Sequence, residues 1–461
     1  MTVQDFIKYY KNGHGRAVYA LQSVADKEPY RKAFFECLGE QECFFHAEDY
    51  IPNIAKSLLT KETEKEFTDI LIGLFKEQFP ADFFYTLDKF LPREKTIPLL
   101  EEEYKKAFDL CFTPSENEEE QSAKNFKYHC LVFIVNKFLG DDDERLKALI
   151  TDSAKLAEAK LPHQLWFLRH HQRIDEDRVN RLFDEALKDH PLYDELRSVL
   201  KKALEFVPVR REYKTPEDYV KGTEDDYKGA LESFCKADAE TVKQVARMGI
   251  GEDAELGVSA LSLFDDYSYE YCQEKCNHQP FPFDSKCLIE IVERYKTLFS
   301  PELDSPIEGQ WACMALSALT AMKDEAAKEY CISMITDESV HEIMSYEAFG
   351  TFRRNYKSTD GELLKKLYYS GYENEVLLLL LSIASQGIRE IPYELCFDAY
   401  ENGEDYNRSH AVFTLSTLGL LTDEMTEECK YDVSPNVRNL VNGLPSEDPH
   451  VIRAVKRIDA K

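Results

Sequence analysis

Val376-Leu377-Leu378-Leu379-Leu380-Leu381-Ser382-Ile383-Ala384 carries almost no polar face. A helix that is apolar nearly all round is one that neighbours cover on both flanks. The run stops far short of the roughly 20 residues needed to cross a bilayer. Acidic Glu373 and Glu375 precede it and Gln386-Gly387 closes it. It reads as an inner helix of a water-soluble stack.

Working outward, the apolar residues keep a helical period. Leu288, Ile291, Val292, Tyr295, Leu298 and Phe299 fall on one stripe, and so do Trp311, Met314, Ala315, Ala318, Leu319 and Met322. Leu192, Leu196, Val199, Leu200, Ala203 and Leu204 repeat the pattern upstream. Spacings of i, i+3, i+4 and i+7 define a stripe one helix face wide. Sustained apolar-polar alternation, the mark of half-buried strands, is absent. The β-branched segment Leu131-Val-Phe-Ile-Val135 lies inside a helical pattern from Lys124 to Leu139. Prolines and glycines such as Pro80, Pro92, Pro162, Pro191, Gly249, Pro301, Gly387 and Gly419 punctuate the chain. Proline lacks the amide proton that a helix interior needs, and glycine accepts the left-handed turn after a helix end. Short loops between helices of about 10 to 20 residues make consecutive helices antiparallel. The expectation is all-α.

Two stretches break the period. Thr113-Pro-Ser-Glu-Asn-Glu-Glu-Glu-Gln121 is acidic and polar, which predicts an exposed loop. The second, 211–228, contains Pro216 and Gly222 and predicts an irregular connection between an N-terminal helical region, 1–210, and a C-terminal one, 229–461. In the latter, helix pairs fall near 230–266, 308–337, 339–370, 372–402 and 405–430. A period of roughly 30 to 40 residues is that of helical repeat arrays.

Composition bounds the function. The 461 residues include 57 basic and 86 acidic side chains, a formal charge of −29. That balance disfavours nucleic acid and anionic lipid, both of which need clustered cations. It suits a protein partner that offers a basic segment. Hydrophobic residues make up 43% of the chain, enough to build cores rather than a disordered coil. Of twelve cysteines, Cys130, Cys235, Cys313, Cys331 and Cys396 sit in apolar helical stretches, where a thiol behaves as a small hydrophobe. The opening Met1-Thr-Val-Gln-Asp5 lacks the features of a secretory leader, so a reducing, cytoplasmic setting is expected.

Near the C-terminus one phrase occurs twice. Ser434-Pro435-Asn-Val437-Arg438-Asn-Leu440 is echoed by Asp448-Pro449-His-Val451-Ile-Arg453-Ala454. Each has a capping residue, proline at the first helical position and an inward valine. The phrase resembles the repeat of the HEAT-like α-solenoids, covering the last 30 residues well and the region from 230 loosely. The resemblance implies stacked antiparallel helix pairs in one or two lobes, a concave binding face and no catalytic machinery.

Three constellations could carry chemistry. Cys272-Gln-Glu-Lys-Cys276-Asn-His278, with Cys287 following, offers four zinc ligands, two of them one helical turn apart. The spacing lacks the tight C-x2-C knuckle, and a helix end with buried thiols explains it equally well. His163, Trp166, Arg169, His170, His171 and Arg173 form a basic, aromatic island suited to an anionic ligand. The ordinary alternative is a core stripe with arginines paired to neighbouring acids. His14 and Arg16, in Gly13-His14-Gly15-Arg16, could seat a phosphate at a helix start, or could form a tight turn with Arg16 on a nearby carboxylate. No G-x-S-x-G, H-E-x-x-H, G-x-G-x-x-G or EF-hand pattern occurs. The leading expectation is a non-catalytic interaction or scaffold protein. The rivals are an enzyme or a ligand- or zinc-binding protein using these clusters, and a helical-repeat nucleic-acid binder.

Overall fold

The computed structural model describes the chain apart from 41–48, 78–80, 116, 140, 162–175, 205–212, 266, 269–270, 272–281, 302–305, 445–451 and 453–461. The described residues form helices and connecting turns, with no strand among them. They divide into two compact units. One holds Met1–Val207 with Glu427–Arg438, and the other holds Pro208–Thr426 with Asn439–Lys461.

The first unit contains α1 (Val3–Lys11), α2 (Arg16–Leu21), α3 (Glu28–Cys37), α4 (Tyr50–Leu58), α5 (Glu64–Glu77), α6 (Ala81–Phe90), α7 (Arg93–Cys111), α8 (Glu118–Leu139), α9 (Asp143–Glu158), α10 (Glu176–Leu187) and α11 (Tyr193–Leu204). Each odd-numbered helix from α1 to α9 packs on the even one that follows it. The even helices also pack on one another, α2 on α4, α4 on α6 and α6 on α8. Aromatic rings fill this core. Tyr10 meets Phe34 edge-on at 5.3 Å, Phe34 stacks on Phe67 at 5.8 Å, and Phe84 meets Phe138 edge-on at 5.0 Å. Such pairs add about 0.5–1.5 kcal/mol each beyond the area they bury.

The second unit contains α12 (Pro216–Asp225), α13 (Tyr227–Phe234), α14 (Ala239–Gly249), α15 (Ala254–Leu261), α16 (Ser285–Tyr295), α17 (Ile307–Ala321), α18 (Glu325–Ile335), α19 (Glu342–Ala348), α20 (Thr351–Asn355), α21 (Gly361–Tyr368), α22 (Glu373–Ser385), α23 (Glu394–Asn402) and α24 (Asp405–Leu418). Two short helices follow, α25 (Asp423–Cys429), whose residues from Glu427 belong to the first unit, and α26 (Pro435–Val441), which belongs to the first unit as far as Arg438. Here α15 packs on α17, α17 on α20, α20 on α22 and α22 on α24. Helices α14, α16, α21 and α23 each cover one member of that inner row. Of these inner helices, α17, α22 and α24 are buried on most of their surface. In α17 the buried residues are Gly309, Trp311, Ala312, Cys313 and the run from Ala315 to Ala321. In α22 they include Leu379 to Ser385, and in α24 Arg408 to Leu415.

Acidic residues have local work at the helix starts. Asp142, Asp226, Asp238, Asp253, Asp284 and Asp324 each cap a helix by accepting from its first free amides. A cap of this kind contributes about 1 kcal/mol and meets the positive end of the helix dipole. One charge pair is sunk into the second unit. Lys328 on α18 is 3% exposed and donates to Asp360 Oδ2 at 2.8 Å and to the Asn355 carbonyl at 2.9 Å.

Three expectations need correction. The acidic segment after Pro114 is helical from Glu118, because the Asn117 side chain accepts from the Glu120 amide at 2.8 Å and acidic residues suit a helix N-terminus. The 211–228 connection holds α12, started by a capping box in which Thr215 and Asp218 bond each other's amides and Pro216 stands at the first position. Cys235, expected as a free thiol in an apolar helical stretch, is buried and disulfide-bonded. It stands at the C-cap of α13.

Two glycines separate crowding from open space. A Cβ at Gly257 on α15 would strike the Trp311 ring, whose Nε1 donates to the Gly249 carbonyl at 2.8 Å. A Cβ at Gly73 on α5 would meet nothing. Gly257→Ala should cost about 1–3 kcal/mol through overpacking, and Gly73→Ala should add about 0.5–1 kcal/mol through helix propensity. Urea denaturation of the two variants measures both, and equal signs would contradict the packing described.

Candidate functional site

Helix α7 is a ridge with a cleft on each side. One stripe of it, Glu101, Tyr104, Lys105 and Phe108, faces α9 across a cleft of about 470 Å³. A second stripe, Lys95, Pro98, Leu99 and Glu102, faces α5 across a groove of about 920 Å³. The spacing of three and four residues within each stripe is what puts each set on one face of a helix.

The α7–α9 cleft holds a chain of hydrogen bonds. The Tyr104 hydroxyl lies 3.3 Å from that of Tyr128 and donates to Asp152 Oδ2 at 3.0 Å, while Lys155 pairs with Asp152 Oδ1 at 2.9 Å. Arg145 pairs with Glu101 at the rim. Val135, Leu139 and Leu149 supply the apolar lining. Burial pushes both tyrosine hydroxyls far above the ordinary phenol value, so the neutral phenol persists at physiological pH. A phenol held neutral, with its carboxylate partner already paired, is a hydrogen-bonding post and neither a nucleophile nor a general base.

The α5–α7 groove is different in kind. Ile72, Leu91, Pro98 and Leu99 give it an apolar lining, and Lys61, Lys65, Lys76 and Lys95 stand around it. Glu102, on the same lining, is held by Lys106 at 2.7 Å. Sequence reading did not find this groove. Its lysines come from the turn before α5 (Lys61), from α5 (Lys65, Lys76) and, beyond α6, from α7 (Lys95), so no contiguous basic run marks it.

The Gly13–Arg16 turn is closed by the chain's own C-terminal part. Arg16 Nε meets Glu428 Oε1 at 2.6 Å, with the carboxylate side chain 3% exposed. The Val433 amide donates to the Gly13 carbonyl at 2.9 Å. His14 is buried, its Nδ1 accepting from the Arg16 amide at 3.0 Å and its carbonyl accepting from the Tyr50 hydroxyl at 3.0 Å. A Cβ at Gly15 would overlap the Glu428 carbonyl oxygen. The anion at this helix start is therefore an internal carboxylate, and His14 and Arg16 belong to a clasp.

The other candidates fall largely beyond view. His163, Trp166, Arg169, His170, His171 and Arg173 lie outside the described residues, as do Cys272, Cys276 and His278. Cys287 is described, as a partly buried free thiol in the first turn of α16. Among the described residues no group of three or more His, Cys, Asp or Glu is placed to hold a metal ion, and no helix is long and apolar enough to cross a membrane.

No protein-family model matches the chain. No curated protein matches it either. Among solved structures, the crystal structure of an engineered protein from the Northeast Structural Genomics Consortium aligns with 96% of this chain and 98% of its own, at 13% identity and a TM-score of 0.19. That score carries no argument about the fold.

The clasp makes a local prediction. Gly15→Ala should loosen the Glu427–Arg438 segment by about 1.4 kcal/mol, within the usual range for overpacking. Tryptic cleavage after Lys430 would then run roughly tenfold faster, since cleavage follows local opening. An unchanged cleavage rate would mean that the segment is not held by this turn.

Proposed function

We propose that the protein is a non-catalytic interaction or scaffold protein, a HEAT-like α-solenoid whose helical-repeat surface holds another protein. The observation that carries this reading is the order of packing. In each unit, inner helices pack in succession on one another and outer helices each cover an inner one. In an array of this kind each repeat touches only its neighbours, so the surface grows with chain length and is used for long contacts. The clefts on both sides of α7 support the same reading, because they lie between successive outer helices.

A net charge of −29 would steer a partner bearing a basic segment and make its capture depend on salt. Affinity capture of the full chain from its source cells, at low and at high salt, tests this. A partner enriched over bead controls and released progressively by salt is expected. Absence of any specific partner under both conditions would overturn the reading.

A further inference from the structure

We infer that the groove between α5 and α7 docks a short acidic, amphipathic helical segment of a partner protein. The inference rests on the interaction reading and names the chemistry of one of its contacts, of opposite sign to the one the net charge suggests.

Clustered lysines set this groove apart. Elsewhere in the first unit many lysines find acids, Lys106 pairing with Glu102 and Glu103, Lys147 with Glu144 and Glu185, Lys89 with Asp49, and Lys11 with Glu40. Others that make no ion pair among the described residues, such as Lys56, Lys105, Lys160 and Lys188, do not gather at one groove. In a chain with 86 acidic residues such partners are close to hand. Lys61, Lys65, Lys76 and Lys95 nevertheless make no ion pair among the described residues, and all four are exposed around one groove. Of the three carboxylates on the same lining, Glu102 is taken by Lys106, which leaves Glu64 and Asp69. Lys76 also acts on Glu102 through space, so four lysines without an ion pair stand with two carboxylates, Glu64 and Asp69, that no lysine holds among the described residues.

Shape and lining select the occupant. Residues 65, 68, 69, 72 and 76 of α5 lie on one face, as do 95, 98, 99 and 102 of α7, so the groove runs along both helices. From Glu64 to Lys76 it follows about 18 Å of α5, the length of a twelve-residue helix. Ile72, Leu91, Pro98 and Leu99 would take apolar residues spaced i, i+3, i+4 and i+7, and the lysines would meet glutamates or aspartates beside them. Single-stranded nucleic acid fits poorly, since neither an aromatic ring nor an arginine lines the groove. An anionic membrane is an extended surface that would face the charge of the whole chain. A peptide seated in the groove interacts mainly within a Debye length of about 8 Å.

The test uses the full chain and a fluorescein-labelled peptide of about 16 residues, with leucine at i, i+3, i+4 and i+7 and glutamate elsewhere. A second peptide carries lysine in place of glutamate. Anisotropy should show saturable binding of the acidic peptide alone, weakened about tenfold or more by the exposed triple variant K65E/K76E/K95E and weakened again by salt. No binding of the acidic peptide, equal binding of both peptides, or equal binding to the variant would overturn the inference. So would binding only to phosphatidylserine vesicles, which would assign the lysines to a lipid surface. Repeating the affinity capture with the triple variant separates the two readings. A partner held equally by variant and wild type removes the groove and leaves the interaction protein standing, whereas no partner in either removes the reading beneath it.

Discussion

An inner helix that is apolar on both flanks must be covered on both flanks, and the packing around α17, α22 and α24 follows from that demand. Helices shorter than about 12–15 residues are marginal alone in water, because nucleation is costly and few hydrogen bonds repay it. Each fully buried leucine, isoleucine or valine contributes about 1.5–3 kcal/mol only once its neighbours are in place. In α22, Val376, Leu377, Leu379, Leu380, Leu381 and Ile383 are all buried, so no single neighbour could shield the helix. Coverage comes from α20 and α24 in the inner row and from α21 outside it.

The same demand shapes the surface. Outer helices need only one apolar stripe, and their remaining faces go to water and to the clefts between them. Helix α7 shows the division, with Leu100, Ala107 and Cys111 buried while its two flanks line separate clefts. The clefts differ in how their charges are satisfied. On the α9 side Tyr104 and Lys155 bind Asp152, and Arg145 binds Glu101, which leaves Lys105 as the one lysine of that lining without an ion pair among the described residues. On the α5 side the lysines are left over, and that surplus gives the groove a preference of its own.

Much of the helix pattern was legible because its cause is local. The all-round apolar run at 376–384 and the stripe at Trp311 to Met322 announce buried helices from residue spacing alone. The α12 helix was also legible in principle, since Thr215-Pro216-Glu217-Asp218 is a capping box. Its short length and weak apolar period hid it behind Pro216 and Gly222. What depends on distant residues could not be read. Arg16 and Glu428 are separated by 412 positions, and nothing near either names the other. The lysines of the α5–α7 groove look like ordinary solvated charges until two helices are set side by side. Of the site candidates taken from motifs, His14 and Arg16 form the clasp, and the zinc-like and aromatic-basic clusters rest on residues outside those described.

Return of 427–438 to the first unit sets a limit on the idea of an array in which only consecutive helices touch. One segment far along the chain closes the first turn, while the order within each inner row remains sequential. The direct measure of the central claim is amide hydrogen exchange of the intact protein, followed by mass spectrometry. Amides of α17, α22 and α24 should exchange only with global unfolding, and those of α16, α21 and α23 should exchange earlier through local opening. Outer helices protected as strongly as the inner row, or more so, would contradict the account.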